Sequence, residues 1–232
     1  MIQSILARKQ TLLGGVSFLV VCLIWELVVR FGGLSIQVFP GPLTVAKSFG
    51  ELVANGTLLK HSVASLYRVT VGFYLAALLG IPLGILIGRH RVVRHMLDPL
   101  IQFMRPISPL AWIPLAMLWF GIGDRPAIFL IFLASFFPLV VSTTAAVSSI
   151  EQVYFRVGAN FGFSRSEVVW KIIVPAIVPQ ILTALRVSVA IGWLVVVAAE
   201  MIAVKSGLGY LILDSRNALR MDYVMVSMLV IG

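Results

Sequence analysis

From Pro126 to Ser148 the chain runs for 23 residues without one charged side chain. A helix of about 20 apolar residues is what the hydrocarbon core of a bilayer demands. Comparable runs occupy roughly 12–31, 66–88, 98–120 and 177–204. A further one begins near Tyr223 and reaches Gly232 after about 15 Å of helix, half of a bilayer core, so the last span is expected to be truncated. Only 12% of the 232 residues are charged and 60% are hydrophobic, against about 25% charged in an ordinary soluble domain. These features define an all-α polytopic membrane protein of about six transmembrane helices.

The formal charge of +9 does not indicate nucleic acid. No platform of interleaved basic and aromatic residues accompanies it, and Lys and Arg gather at the ends of membrane spans. The one cysteine, Cys22, lies in an apolar run and has no internal disulfide partner. The run after Arg8-Lys9 is too long for the apolar region of a cleaved signal. It is therefore read as a retained first span, with 1–11 a cytoplasmic N-terminus and 12–232 a single transmembrane domain. With the N-terminus inside, 1–11, 89–97 and 149–176 face the cytoplasm and carry eight basic residues. The opposite side also carries eight, counting Arg30, Lys47, Lys60, Arg68, Arg125, Lys205, Arg216 and Arg220. The cluster GRHRVVRH at 88–95 is the local signal for this orientation. The segment 32–65 holds a turn, FPGP at 39–42, and then a helical pattern, read as a short amphipathic helix on the outer face.

Two features interrupt this apolar pattern. RPISPLAWIP, Arg105 to Pro114, puts three prolines and an arginine within the third span. Proline removes a backbone donor, and broken backbone at membrane depth survives only against protein or a wet cavity. Arg105 then either lines a solute path, giving it a positive potential, or bonds the freed carbonyls of its own helix. Glu200, in WLVVVAAEMIAV, is a second ionisable group in a span, costly without a partner or water; a pairing with Arg105 is conceivable, as is an interfacial glutamate. In span two, Gly72, Ala76, Ala77, Gly80, Gly84 and Gly88 are small, and the last three glycines share one helix face suited to close packing.

The second interruption is VGANFGFSRSEVVWKIIVPAIVP, Val157 to Pro179. It is longer than a plain connection of about 4–6 residues. Ser164 followed three residues later by Glu167 is a capping box. Val168, Val169, Ile172 and Ile173 follow at helical spacing. The pattern predicts a short helix, a bend at Gly162 and a second short helix, with Pro175 and Pro179 flanking the next span. Such a helix pair can dock a cytosolic partner or rest on lipid headgroups.

This loop, about 150–176, resembles the EAA coupling loop of bacterial ATP-binding-cassette importer permeases, in which E-A-A is followed by three residues, glycine, nine residues and I-x-L-P. Gly162 is followed at that spacing by Ile172, Ile173, Val174 and Pro175. Arg156, Val157 and Gly158 occupy the E-A-A positions, so a base replaces the acid. FPGPLTVAKSFGELVANGTLLKHSVASLYRVTVGF, GIPLGILIG, DPLIQFMRPISPLAWIPLAMLWFGIG and LVVVAAEMIAVKSGLGYLI resemble the nitrate, sulfonate, taurine and bicarbonate branch of these permeases, from about Phe39 onward.

The resemblance implies a type I, MetI-like permease fold in a bacterial inner membrane, with cytoplasmic coupling helices. It also implies a homodimer with the solute path at its interface, two ATPase subunits below and a solute-binding protein outside. The chain has no G-x-x-x-x-G-K-[ST] loop, so it is read as a transport subunit rather than an enzyme, without a cofactor of its own; ATP and magnesium belong to the ATPase. Coupling to the ATPase is assigned to Arg156, Gly158, Gly162, Ser164, Arg165 and Pro175. The translocation path is assigned to Arg105, Pro106, Ser108, Pro109, Trp112 and Glu200. The expected cargo is a small anion of the sulfonate or taurine kind, with nitrate or bicarbonate as the other members of the class. The rival reading is a secondary transporter or channel for small anions, which usually shows two related halves with matching broken helices; only one broken span is visible here. A membrane enzyme has neither H-E-x-x-H nor G-x-S-x-G to work with.

Overall fold

A computed structural model describes residues 2–33, 35 and 37–232, with the side chains of 2–15 and Phe18 outside the description. The basic pair Arg8-Lys9 and the inward placement of the N-terminus thus fall on side chains outside it. Helices form nearly everything, and no strand occurs among the described residues. The chain divides into two compact units, residues 1–62 with 211–232, and residues 63–210.

In the first unit, α1 spans Ile2–Phe31 and α2 spans Pro42–Ala54. The FPGP turn sets the start of α2. Gly41 is its extended N-cap and Pro42 its first residue, where a missing N–H is harmless. Val45, Ser48 and Leu52 share the buried face of α2, three and four residues apart as an amphipathic helix requires. Asn55 and Gly56, the latter at φ +72°, end it. α11, Met221–Ile231, packs on α2. Asp222 accepts from Ser48 Oγ at 2.7 Å and pairs with Arg220, also at 2.7 Å. The hydrogen bond to Asp222 raises the Arg220 guanidinium further above its ordinary range.

The second unit is built on α3 (Thr57–Arg89), α6 (Asp124–Ser148) and α9 (Val174–Ala203). All three are long and apolar enough to cross a membrane, α9 together with the turns that precede it. The small-residue stripe of α3 lies against α6. A Cβ on Gly72 would stand 2.8 Å from Ile131, one on Gly84 2.5 Å from Thr143, and one on Gly88 2.7 Å from Val147. These contacts climb both helices together, so α3 and α6 run parallel. Only glycine allows such an approach, and Thr144 Oγ1 uses it to donate to the Gly84 carbonyl at 3.3 Å. α9 runs the other way: Ile177 near its start packs with Val147 at the end of α6. Ala203 at its end packs with Ala127.

The expected third span is not one helix. Residues 91–104 form α4, a strongly amphipathic helix; Pro109–Trp112 form a 3-10 turn; and α5 covers Ile113–Phe120. The break falls at Arg105–Ser108, where Pro106 and Pro109 remove donors that a continuous helix would need. Arg105 is therefore the first residue past the end of α4 rather than a residue several turns inside a span. There its charge faces the negative end of the helix dipole.

Candidate functional site

The loop after α6 carries the first constellation. α7, Gln152–Asn160, ends at Phe161 and Gly162. The Phe163 N–H donates to the Gly158 carbonyl at 2.9 Å and the Gly162 N–H to the Ala159 carbonyl at 3.0 Å, with Gly162 at φ +69°. This pair of bonds is a Schellman turn, which needs a left-handed residue just past the helix. Gly158 is buried, and a Cβ there would stand 2.7 Å from Ile172 and 3.3 Å from Phe163. So one glycine makes the bend, and the other lets the two arms of the loop touch.

Beyond the bend the capping box forms as the sequence predicts. Ser164 Oγ accepts from the Glu167 N–H at 3.3 Å, and the Glu167 carboxylate accepts from the Ser164 N–H at 2.9 Å. Lys171 closes on Glu167 at 2.7 Å and lies over the Phe163 ring. The second arm differs from expectation. α8, Arg165–Val168, does not stop before the span; it passes through a π-turn at Val169–Ile173 into α9. The π-turn ends just before Pro175, which has no N–H to serve the carbonyl four residues back; Pro179 lies inside α9. Val153, Tyr154, Val157 and Phe161 remain exposed along α7, three of them four residues apart on one face. Arg156 and Arg165 are exposed beside them and form no ion pair among the described residues.

The second constellation is a buried charge network at the shared end of α3, α6 and α9. Arg68 and Glu200 are 1% and 0% exposed. Arg68 Nη1 donates to Glu200 Oε1 at 2.5 Å and to the Ser206 carbonyl at 2.8 Å. Arg68 Nε donates to Asp124 Oδ1 at 2.8 Å, Nη2 reaches the same oxygen at 2.7 Å, and Nη2 also donates to Ser206 Oγ. Four of the five guanidinium N–H groups thus donate hydrogen bonds, and Nη2 also closes on Asp124 as an ion pair. The other Glu200 oxygen accepts from Ser65 Oγ at 2.8 Å and from the Gly209 N–H at 3.0 Å; Ser65 Oγ in turn accepts from the Leu208 N–H at 2.8 Å. Leu208 and Gly209 open α10, Leu208–Asn217. A carboxylate and a hydroxyl from elsewhere in the chain thus cap its first amides, where negative charge is favoured.

Glu200 therefore pairs with Arg68 and not with Arg105. The sequence pattern, with a span from about 66, puts Arg68 among the outer-face charges; the structure buries it instead. The Asn55-Gly56 stop signal marks the true start of α3 at Thr57 and places Arg68 about three turns inside it. Asp124 and Ser206 have no signal, since only folding brings the start of α6 and the loop after α9 to Arg68. Among the other path candidates, Arg105, Pro106 and Ser108 are exposed, Pro109 is half-buried, and Trp112 packs on the core of Ile113, Ala127 and Ala199.

Residues 80–232 match the family described as binding-protein-dependent transport system inner membrane component. The taurine transport system permease protein TauC of Escherichia coli strain K12 is 40% identical over 98% of this chain and 84% of its own length. The nitrate import permease protein NrtB of Synechocystis is 34% identical over 94% of this chain and 81% of its own. Among solved structures, a chain of the MetNI methionine ABC transporter in inward-facing conformations matches with a TM-score of 0.60 at 14% identity. That match covers 72% of this chain and 86% of that one, and shows a shared fold. The chain belongs to the family of binding-protein-dependent transport system inner membrane components, with the MetI-like permease fold.

Proposed function

We propose that this chain is the membrane subunit of an ATP-driven importer for a small anion, of the sulfonate or taurine kind. Two copies enclose the path, two separate ATPase subunits bind at the cytoplasmic side, and a solute-binding protein delivers cargo from outside. Residues 12–232 act as one permease domain with the N-terminus in the cytoplasm. The taurine relative supports the cargo class, and the nitrate relative widens it to compact oxyanions. Removing the buried Arg68 from the outer tally of basic residues leaves seven outside against eight inside, which favours the N-in orientation.

The observation that carries the proposal is the bent loop. Its Schellman turn and capping box hold two helical arms in one fixed shape. α7 presents an exposed row, Val153, Val157 and Phe161, that a cytosolic subunit can cover. The second arm runs without interruption into α9. A push on the bend at Gly162 therefore passes directly along a helix packed against α6. Closure of the ATPase pair around ATP moves the loop, and the bundle switches between discrete packings instead of deforming smoothly. Arg156, Gly158, Gly162, Ser164, Arg165 and Pro175 serve the coupling; Arg105, Pro106, Ser108, Pro109 and Trp112 line the solute path. Glu200 contributes to that path by holding its α9 end closed through Arg68.

The test is cross-linking. With Cys22 replaced by serine, single cysteines at Arg156 and Arg165 are introduced in native vesicles. The expected product joins this chain to its ATPase, and its yield changes when ATP is added. Products confined to lipid, or labelling of both cysteines only from the extracellular side, would overturn the coupling role.

A further inference from the structure

A cleft of about 520 Å³ opens where α3 and α6 end and α4 and α7 begin. Arg89, Arg91, Arg94, Ser148, Gln152 and Phe155 line it, and no carboxylate does. Among the described residues neither Arg89 nor Arg91 forms an ion pair. Arg89 lies over the Phe155 ring, 4.7 Å from its centre, which orients the guanidinium without neutralising it. Of these three, Arg94 pairs with Asp98 at 3.2 Å, and it also donates to Ser148 Oγ at 3.3 Å. Three like charges on one cleft repel one another, and with one acid among them the cleft carries a net positive charge that an anion would relieve.

Depth decides which anion. α6 has 25 residues, about 37 Å of helix against a hydrocarbon core of about 30 Å. Its ends therefore reach a few ångströms into the headgroup layer, and Ser148 is its last residue. α3 ends level with it, since Gly88 meets Val147. On α4, Val92, Met96, Leu100 and Phe103 are 73%, 73%, 58% and 69% exposed. Their spacing places them on one side of the helix, away from Arg91 and Arg94. Such a row marks a face that lipid or another protein covers; lipid on it would set α4 at the edge of the acyl region, level with the ends of α3 and α6, and its arginines near the phosphates.

We propose that this cleft binds the phosphate of an anionic phospholipid headgroup. Basic pockets between spanning helices recognise such headgroups through paired guanidinium contacts. Bound there, the lipid bridges the ends of α3, α4 and α6 to the first turn of α7, at the root of the bent loop. The inference rests on membership of a membrane family and on this geometry, not on the transport reading.

The full chain, purified in detergent, is exchanged into vesicles of phosphatidylcholine with and without phosphatidylglycerol, and retained lipid is counted by native mass spectrometry. Wild type should retain phosphatidylglycerol in preference to phosphatidylcholine. R91Q, at a side chain with no hydrogen bond or ion pair among the described residues, should lower that preference about fivefold, and R89Q/R91Q about thirtyfold; R91K should keep most of it. No preference in wild type, or equal retention by wild type and R89Q/R91Q, overturns the proposal. A separate arm offers inorganic phosphate and glycerophosphate at millimolar concentration. If either binds the cleft and displaces the lipid completely, the ligand is free phosphate and the lipid assignment falls.

Discussion

At the scale of single residues, the most consequential fact is the burial of Arg68 among its partners. An arginine and a glutamate buried together stabilise little compared with an apolar pair of the same size, but breaking such a pair strands the survivor at a cost of about 3–5 kcal/mol. Glu200→Ala is expected to lose stability on that scale, read as an earlier thermal unfolding midpoint in detergent. Arg68→Met combined with Glu200→Leu should recover much of it. An unchanged midpoint for Glu200→Ala would show that the network holds nothing together. Gly162 makes a different kind of demand. Its φ of +69° costs a side-chain-bearing residue about 1–2 kcal/mol. Gly162→Ala should therefore loosen the bend, raising amide exchange at Phe163 and Ser164 while the spans stay protected.

At the scale of elements, α3 and α6 show how glycine spacing becomes a helix contact. The sequence exposes the stripe of Gly80, Gly84 and Gly88 but not the partner helix. The structure supplies it in Ile131, Leu139, Thr143 and Val147. Gly84→Leu would push a side chain into Thr143, and overpacking of this kind costs about 1–3 kcal/mol. The expected readout is a lower folded yield after membrane extraction, with Leu78→Ala, an exposed position on the same helix, as the comparison. Yields equal to wild type would mean that the helices separate freely. The broken segment is where local pattern and fold diverge most. Three prolines correctly marked the break. However, the apolar run from 98 to 120 concealed an amphipathic helix that begins at Arg91, because its polar residues sit on one side only.

At the scale of the whole molecule, the chain is a member of a transport family whose loop, spans and buried charges serve different ends. Arg105→Gln is expected to cut anion uptake by at least about tenfold with unchanged membrane abundance, if one lost charge-assisted contact is worth about 1.5–3 kcal/mol. Equal losses of uptake and abundance would assign Arg105 to the stability of the α4 terminus instead. Uptake in vesicles with and without ATP, measured on the same preparations, separates a failure of energy coupling from a failure of the path.

What the sequence by itself determined is the membrane environment, the all-helical class, the capping box and the glycine bend, because each depends on neighbours within one or two turns of chain. The long apolar runs and the Ser164–Glu167 spacing leave the backbone few alternatives. What only the tertiary structure decided is which charges meet. Arg68, Asp124, Glu200 and Ser206 are up to 138 residues apart and lie on three helices and a loop, so no local pattern links them. Their pairing is set by the parallel packing of α3 on α6 and the antiparallel return of α9. Burying a charge is tolerable only where the fold delivers its partner, and that delivery is a property of the bundle.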